Sequence, residues 1–209
     1  MMSRAEIKAE AKSSFQAQRG TGILLLVVFM LIAAVCGAAG VIVIGGVAGV
    51  IIIPVISIGM MLGYLTIYRN ETTEINVLFT KFKDGGFARA LGGYWWMFLF
   101  IYLWSLLLFI PGIIKTMSYF MTPYILAEHP NVPAKEALKL SMRMTKGHLG
   151  KIFVAYLSFI GWMMLSGLTF GILYIVYVGP YMATTMAGFY NEIKEEALRD
   201  GVVSIVELG

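Results

Sequence analysis

ALGGYWWMFLFIYLWSLLLFIPGIIKTMSYFMTPYILA, residues Ala90 to Ala127, is a run of 38 residues with one charge, Lys115. A helix rising ~1.5 Å per residue crosses a ~30 Å hydrocarbon core in about 20 residues. The run is therefore one span with an outside segment, or two spans that turn at Pro111-Gly112. Charge in the rest of the chain separates the two. With one span here the chain crosses five times, and its 16 basic residues divide eight and eight. With two it crosses six times, and 15 of the 16 fall on one side with Lys115 alone on the other. Lys and Arg concentrate in cytoplasmic loops, so the sequence predicts six spans with both termini cytoplasmic. Lys115, near the outer end of a short fourth span, is expected to snorkel to the interface.

The flanking sequence has the same character. Two further uncharged runs, 49 residues from Gly20 to Tyr68 and 40 from Ile152 to Asn191, are each long enough for two helices. Glycines mark their expected turns: Gly40, Gly45, Gly46 and Gly49 in the first, Gly167 and Gly171 in the last. Charged residues make up 13% of the 209-residue chain and hydrophobic ones 59%. A soluble domain carries about 25% charged residues, so neither a soluble enzyme nor a disordered chain fits. The predicted fold is an all-α polytopic transmembrane helical bundle forming a single integral membrane domain over 1–209. Its spans lie at about 22–39, 48–68, 91–110, 112–127, 152–168 and 171–190, arranged as three hairpins. The acids and bases before the first span exclude a cleaved secretory signal, and Cys36, the sole cysteine, leaves no intramolecular disulfide.

Between the spans, three segments read as short interfacial helices, at about 3–18, 73–82 and 133–147. In the first, Ile7, Ala11 and Phe15 share a face; in the second, Ile75, Leu78, Phe79 and Phe82 do. The third starts at Pro133, suited to a helix N-terminus, and stops at Gly147. One of its stripes is Ala134, Ala137, Leu138, Ser141 and Thr145. Another is Lys135, Lys139 and Arg143, with Lys146 beside it. Such a helix either lies in the headgroup plane, where each base contributes about 1 kcal/mol near an anionic surface, or packs under the bundle. Lys135, Lys139, Arg143 and Lys146 are the candidate contacts for lipid or a protein partner. Trp95 and Trp96 suit an aromatic belt.

Each hairpin's second helix carries a proline: Pro54, Pro123 and Pro180. Proline frees a carbonyl one turn earlier, which makes these three the candidate helix-break sites, either simple kinks or the broken helices of a transporter. Gly59 and Gly63, four apart, form a small-residue face of the kind that lets helices approach closely, within one chain or in a homo-oligomer.

Catalytic chemistry is expected to be absent. The histidines number two, and Glu128-His129 has no second ligand cluster at metal spacing, so no cofactor or metal is expected. No Asp or Glu falls inside a span, which disfavours proton-coupled transport. Without an aromatic platform or soluble module, nucleic acid is not an expected partner. The leading expectation is a non-enzymatic membrane protein engaging anionic headgroups or a protein partner. A transporter or channel for a small or amphipathic solute is the alternative, and a lipid-modifying enzyme using Glu128 and His129 the third.

Several elements resemble an uncharacterised family of bacterial integral membrane proteins, a domain of unknown function. They are Ile110-Pro111-Gly112-Ile113-Ile114-Lys115, Ser118-Tyr119, Thr122-Pro123-Tyr124-Ile125-Leu126-Ala127, Ala137-Leu138 with Ser141, Lys146-Gly147-His148, and Leu157-Ser158-Phe159-Ile160-Gly161-Trp162. Pro180-Tyr181 and Phe189-Tyr190 extend the likeness. More distantly, the chain is similar to the membrane domain fused to some glycerophosphodiester phosphodiesterases. The resemblance implies a helical bundle in a bacterial plasma membrane and supplies no catalytic residue.

Overall fold

The computed structural model describes residues 2–39, 43–107 and 109–208. It is 83% helix, and no strand occurs among the described residues. Helix α1 (Arg4–Ala17) opens with a capping box, Ser3 and Glu6 each accepting the other's backbone N–H. Helices α2 (Arg19–Ala39) and α3 (Val43–Tyr68) follow. A 3-10 turn (Ile75–Phe79) and the short α4 (Thr80–Lys83) lead to α5 (Phe87–Leu107). Next come α6 (Phe109–Ser118), α7 (Thr122–Glu128) and α8 (Ala134–Thr145). The chain closes with α9 (Leu149–Leu157), α10 (Ile160–Leu168), a π-helical turn (Tyr174–Val178), α11 (Gly179–Arg199) and α12 (Ile205–Leu208).

Three stretches among the described residues are long and apolar enough to cross a membrane: Arg19–Ala38, Gly49–Tyr68 and Leu149–Leu168. The second is 56% buried and the others 22%, so α3 is the central post and the others show apolar flanks outward. It touches α1, α2, α5, α7 and α11. Leu106, Ile110, Met164 and Leu168 are among the large apolar side chains left exposed. Apolar exposure on this scale marks a surface adapted to lipid or a partner.

Some local expectations are corrected. Pro111 and Gly112 do not form the turn; both lie inside α6. Proline is tolerated in a first helical turn, whose N–H groups have no intrahelical acceptor. Gly112 instead lets α6 approach α5, since a Cβ there would come within 2.3 Å of Ser105 Oγ. Gly45, Gly46 and Gly49 belong to α3 rather than to a turn, while Gly40 lies outside the described residues. Gly167 is within α10, and the chain reverses at Phe170 and Gly171, both with positive φ (51° and 82°).

The Gly59/Gly63 face is used within the chain. A Cβ on Gly59 would stand 2.6 Å from the Leu78 carbonyl oxygen, and one on Gly63 would meet Leu25 and Val77 side chains at 2.9 Å. Backbone cannot yield as a side-chain tip can. Gly59→Ala is therefore expected to lower the melting temperature of the purified protein clearly more than Gly63→Ala, and equal effects would contradict this packing.

Residues 112–127, read from the sequence as one span, are two helices broken at Tyr119, Phe120 and Met121. The break frees backbone groups, and α8 supplies their partners. Ser141 Oγ donates to the Ser118 carbonyl at 2.8 Å and accepts from the Met121 N–H at 3.1 Å. Thr145 Oγ1 reaches the same carbonyl at 3.2 Å. Both hydroxyls are fully buried on a stripe with Ala137, Leu138, Leu140 and Met144. Unpaired buried polar groups cost ~1–3 kcal/mol each. Ser141→Ala is thus expected to destabilise the fold by about 2 kcal/mol, measurable by denaturation, with Ser141→Thr costing less.

Candidate functional site

Three features converge on α5–α8 and α11. The first is an ionic knot at the end of the bundle where α3 and α7 finish. Glu128, last residue of α7, accepts from Arg69 Nη1 at 2.6 Å, Tyr190 Oη at 2.6 Å and Lys194 Nζ at 2.7 Å. His129 Nε2 lies 3.3 Å away. Arg69 also grips Asn191 Oδ1 through Nε (2.9 Å) and Nη2 (2.8 Å), and Tyr190 stacks on Tyr124 with centroids 4.9 Å apart. Arg89 of α5 closes the same end, donating to the carbonyls of Leu126, His129 and Val132 at 2.7–2.9 Å. A cation here also complements the negative end of a helix.

Burial would raise the Glu128 pKa, but His129, Lys194, Tyr190 and Arg69 outweigh it and hold the carboxyl far below its ordinary range. Such a group stays ionised at neutral pH and is a poor proton donor. Its depressed pKa fixes the sign of the pH effect. The stabilisation is complete above the unfolded value of about 4.5 and is lost as pH falls toward the lower folded value. Glu128→Gln is expected to destabilise at pH 7 on the order of 3 kcal/mol. Its melting temperature should also fall less than that of the wild type between pH 6 and 3.

The second feature is a groove of about 470 Å³ on the flank formed by α5, α6 and α8. Trp96, Phe100, Trp104 and Tyr119 make its aromatic wall, and Lys115, Lys135 and Lys139 line it. Lys135 Nζ stands 5.4 Å above the Trp96 ring. Lys115 Nζ is 5.2 Å from the Trp104 ring and 5.7 Å from that of Tyr119, with Met142 Sδ at 3.7 Å. This corrects the expectation that Lys115 stands alone at the outer end of a short fourth span: it shares the groove with Lys135 and Lys139. It lies one turn before Ser118, where α8 is hydrogen-bonded, so its ammonium meets α8. Lys139 pairs with Glu136 at 2.7 Å. The other two candidates point elsewhere: Arg143 binds Glu207 at 2.6 Å and the Val202 carbonyl, and Lys146 is exposed at the end of α8.

The third is an apolar cavity of about 290 Å³ behind the break, bounded by α3, α5, α6, α7, α9 and α11. Met60, Met61, Met97, Met182 and Met186 line it with several tyrosines, and no charged residue does. Pro123 borders it in the first turn of α7. Pro180 occupies the first turn of α11, directly after the π-helical turn. Pro54 differs, since α3 continues through it. Trp95 Nε1 donates at 3.1 Å to the carbonyl of Val50, the residue four before Pro54. Proline leaves that acceptor without its helical partner. Trp95→Phe is expected to cost about 1 kcal/mol, and to cost nothing measurable in a Pro54→Ala background, where the N–H of residue 54 returns.

All nine residues lining the groove, and most of those around the cavity, fall in one segment. Residues 95–197 match the family described as "Protein of unknown function (DUF975)". No curated protein and no solved structure matches the chain. The DUF975 segment includes Glu128, Tyr190 and Lys194 but not their partner Arg69, so the ionic knot joins it to the preceding helices.

The basic stripe of α8 pointed to Lys135 and Lys139 in the sequence. Lys115, Trp96, Trp104 and Tyr119 were not assigned to it, because their approach to α8 depends on a break that hydropathy does not register. Two hydroxyls on the buried stripe of α8, Ser141 and Thr145, were the available signal. Such residues need acceptors: Thr145 has one within α8, the Ser141 carbonyl at 2.7 Å, and Ser141 finds its own in the break.

Proposed function

We propose that this is a non-enzymatic, multi-pass plasma-membrane protein that holds anionic phospholipid headgroups in the groove between α5, α6 and α8. The observation that carries this reading is the convergence of Lys115, Lys135 and Lys139 on one aromatic-walled groove. An ammonium group near a membrane surface gains about 1 kcal/mol from anionic lipid, and tryptophan rings suit the headgroup level. The reading takes six crossings with α8 and both termini on the cytoplasmic side, where Lys and Arg concentrate. Lys115, beside Met142 of α8, then belongs to that side and not to the outer end of a fourth span. The site differs from the sequence expectation in membership: Lys115 joins Lys135 and Lys139, while Arg143 serves the α12 contact.

The test is lipid retention by the full chain, using phosphatidylglycerol and phosphatidylcholine as probes. Changing Lys115, Lys135 and Lys139 together to Gln is expected to reduce preference for phosphatidylglycerol on the order of 100-fold, at about 1 kcal/mol per lysine. Unchanged preference, with the fold intact, would remove the reading. Cysteines placed between residues 129 and 150 in a Cys36→Ala chain should resist labelling from outside the cell. Labelling there would instead restore five crossings.

A further inference from the structure

The groove and the cavity share one wall. Tyr119, 4% exposed, lines both. It is the first residue of the break between α6 and α7, its ring near Lys115 on the groove side and 6.5 Å from Phe100. Neighbouring residues of α6 divide between the two spaces, Lys115 lining the groove and Thr116 the cavity. An aromatic compartment edged by lysines and one lined by no charged residue therefore meet across a single phenol ring.

We propose that the two compartments are the head and tail ends of one site for an anionic phospholipid, with an acyl chain passing Tyr119 into the cavity. This rests on the headgroup reading above and adds where the tail goes. The chemistry of each lining sets its occupant. Burying an unpaired charge is costly, so a cavity without charged residues takes no headgroup. Thioether side chains are flexible and fill irregular space, so Met60, Met61, Met97, Met182 and Met186 can repack around a hydrocarbon chain of variable conformation. A volume of about 290 Å³ equals about ten groups of water size at ~30 Å³ each. That is the outer part of one acyl chain and not two chains. The groove, at about 470 Å³, holds the remainder alongside Trp96, Phe100 and Trp104. The helix break now has a purpose: an unbroken span over 112–127 would place a continuous ridge of side chains between the compartments.

The experiment uses the full chain in lipid nanodiscs containing phosphatidylglycerol with a diazirine at the end of one acyl chain. The same chain on phosphatidylcholine is the comparison. After photolysis and peptide mapping, adducts are expected on the α3 and α11 methionines, at least fivefold more from phosphatidylglycerol. Ala183→Phe, which fills the cavity, should cut them at least fivefold while adducts on outward-facing Leu106 and Met164 persist. The wild-type adduct map needs no variant and decides the matter even where Ala183→Phe does not fold. Adducts confined to outward-facing residues, with lysine-dependent retention intact, overturn the tail placement and leave the headgroup reading standing. Equal cavity adducts from both lipids, unaffected by Lys115→Gln, Lys135→Gln and Lys139→Gln, overturn the headgroup pole and with it the combined site.

Discussion

One carboxylate ties three helices. Glu128 ends α7, and its donors arrive from α3 through Arg69 and from α11 through Tyr190 and Lys194. Each cation separately would be a half-buried charge at the rim of an apolar bundle. Gathered on one carboxylate, which cancels one of their two charges, they offset part of the desolvation that isolated charges could not bear. The α7 segment is only seven residues long, too short to hold its place by helix formation alone. Its position is set by this knot at one end and by the α8 hydroxyls at the other.

With α7 fixed at both ends, the backbone between α6 and α7 can remain broken with the Ser118 carbonyl and the Met121 N–H both paired. Where backbone is buried, as at Met121, this condition is strict, because no water reaches the freed N–H and carbonyl groups. Ser141 and Thr145 meet it from a helix that hydropathy alone would place on the surface. The same docking brings Lys135 and Lys139 beside Lys115, so the structural need of the break and the composition of the groove have a single cause.

How far the sequence reveals this follows from the range of each interaction. The uncharged runs locate the long helices, because apolar continuity is a local property. The face of α1 is legible for the same reason: Ile7, Ala11 and Phe15 recur at helical spacing and are completely buried. The buried stripe on α8 is equally plain. The groove is only half legible, since Lys135 and Lys139 share a helix face but Lys115 reaches them through a fold-level contact. The knot is not legible at all, because Arg69 and Lys194 lie 59 and 66 residues from Glu128. Prolines show where an N–H is missing but not what replaces it. Trp95 bonding the carbonyl behind Pro54 is a pairing across 45 residues.

The placement of α1 has a consequence for assembly. This helix precedes both of its partners in the sequence: Ser14 bonds the Tyr68 carbonyl at the end of α3, and Met2 N–H reaches Glu192 of α11. Lys8 bonds Ser158 between α9 and α10 at 3.0 Å and lies over the Phe159 ring. Because synthesis delivers N-terminal parts first, α1 can meet α3 early, but its contacts with Ser158 and α11 wait until those later segments are made. Its closure is the step of greatest sequence separation, the kind that slows folding. The face of α1 that meets α11 thus stays uncovered until α11 is made, which makes this contact the late latch of the fold.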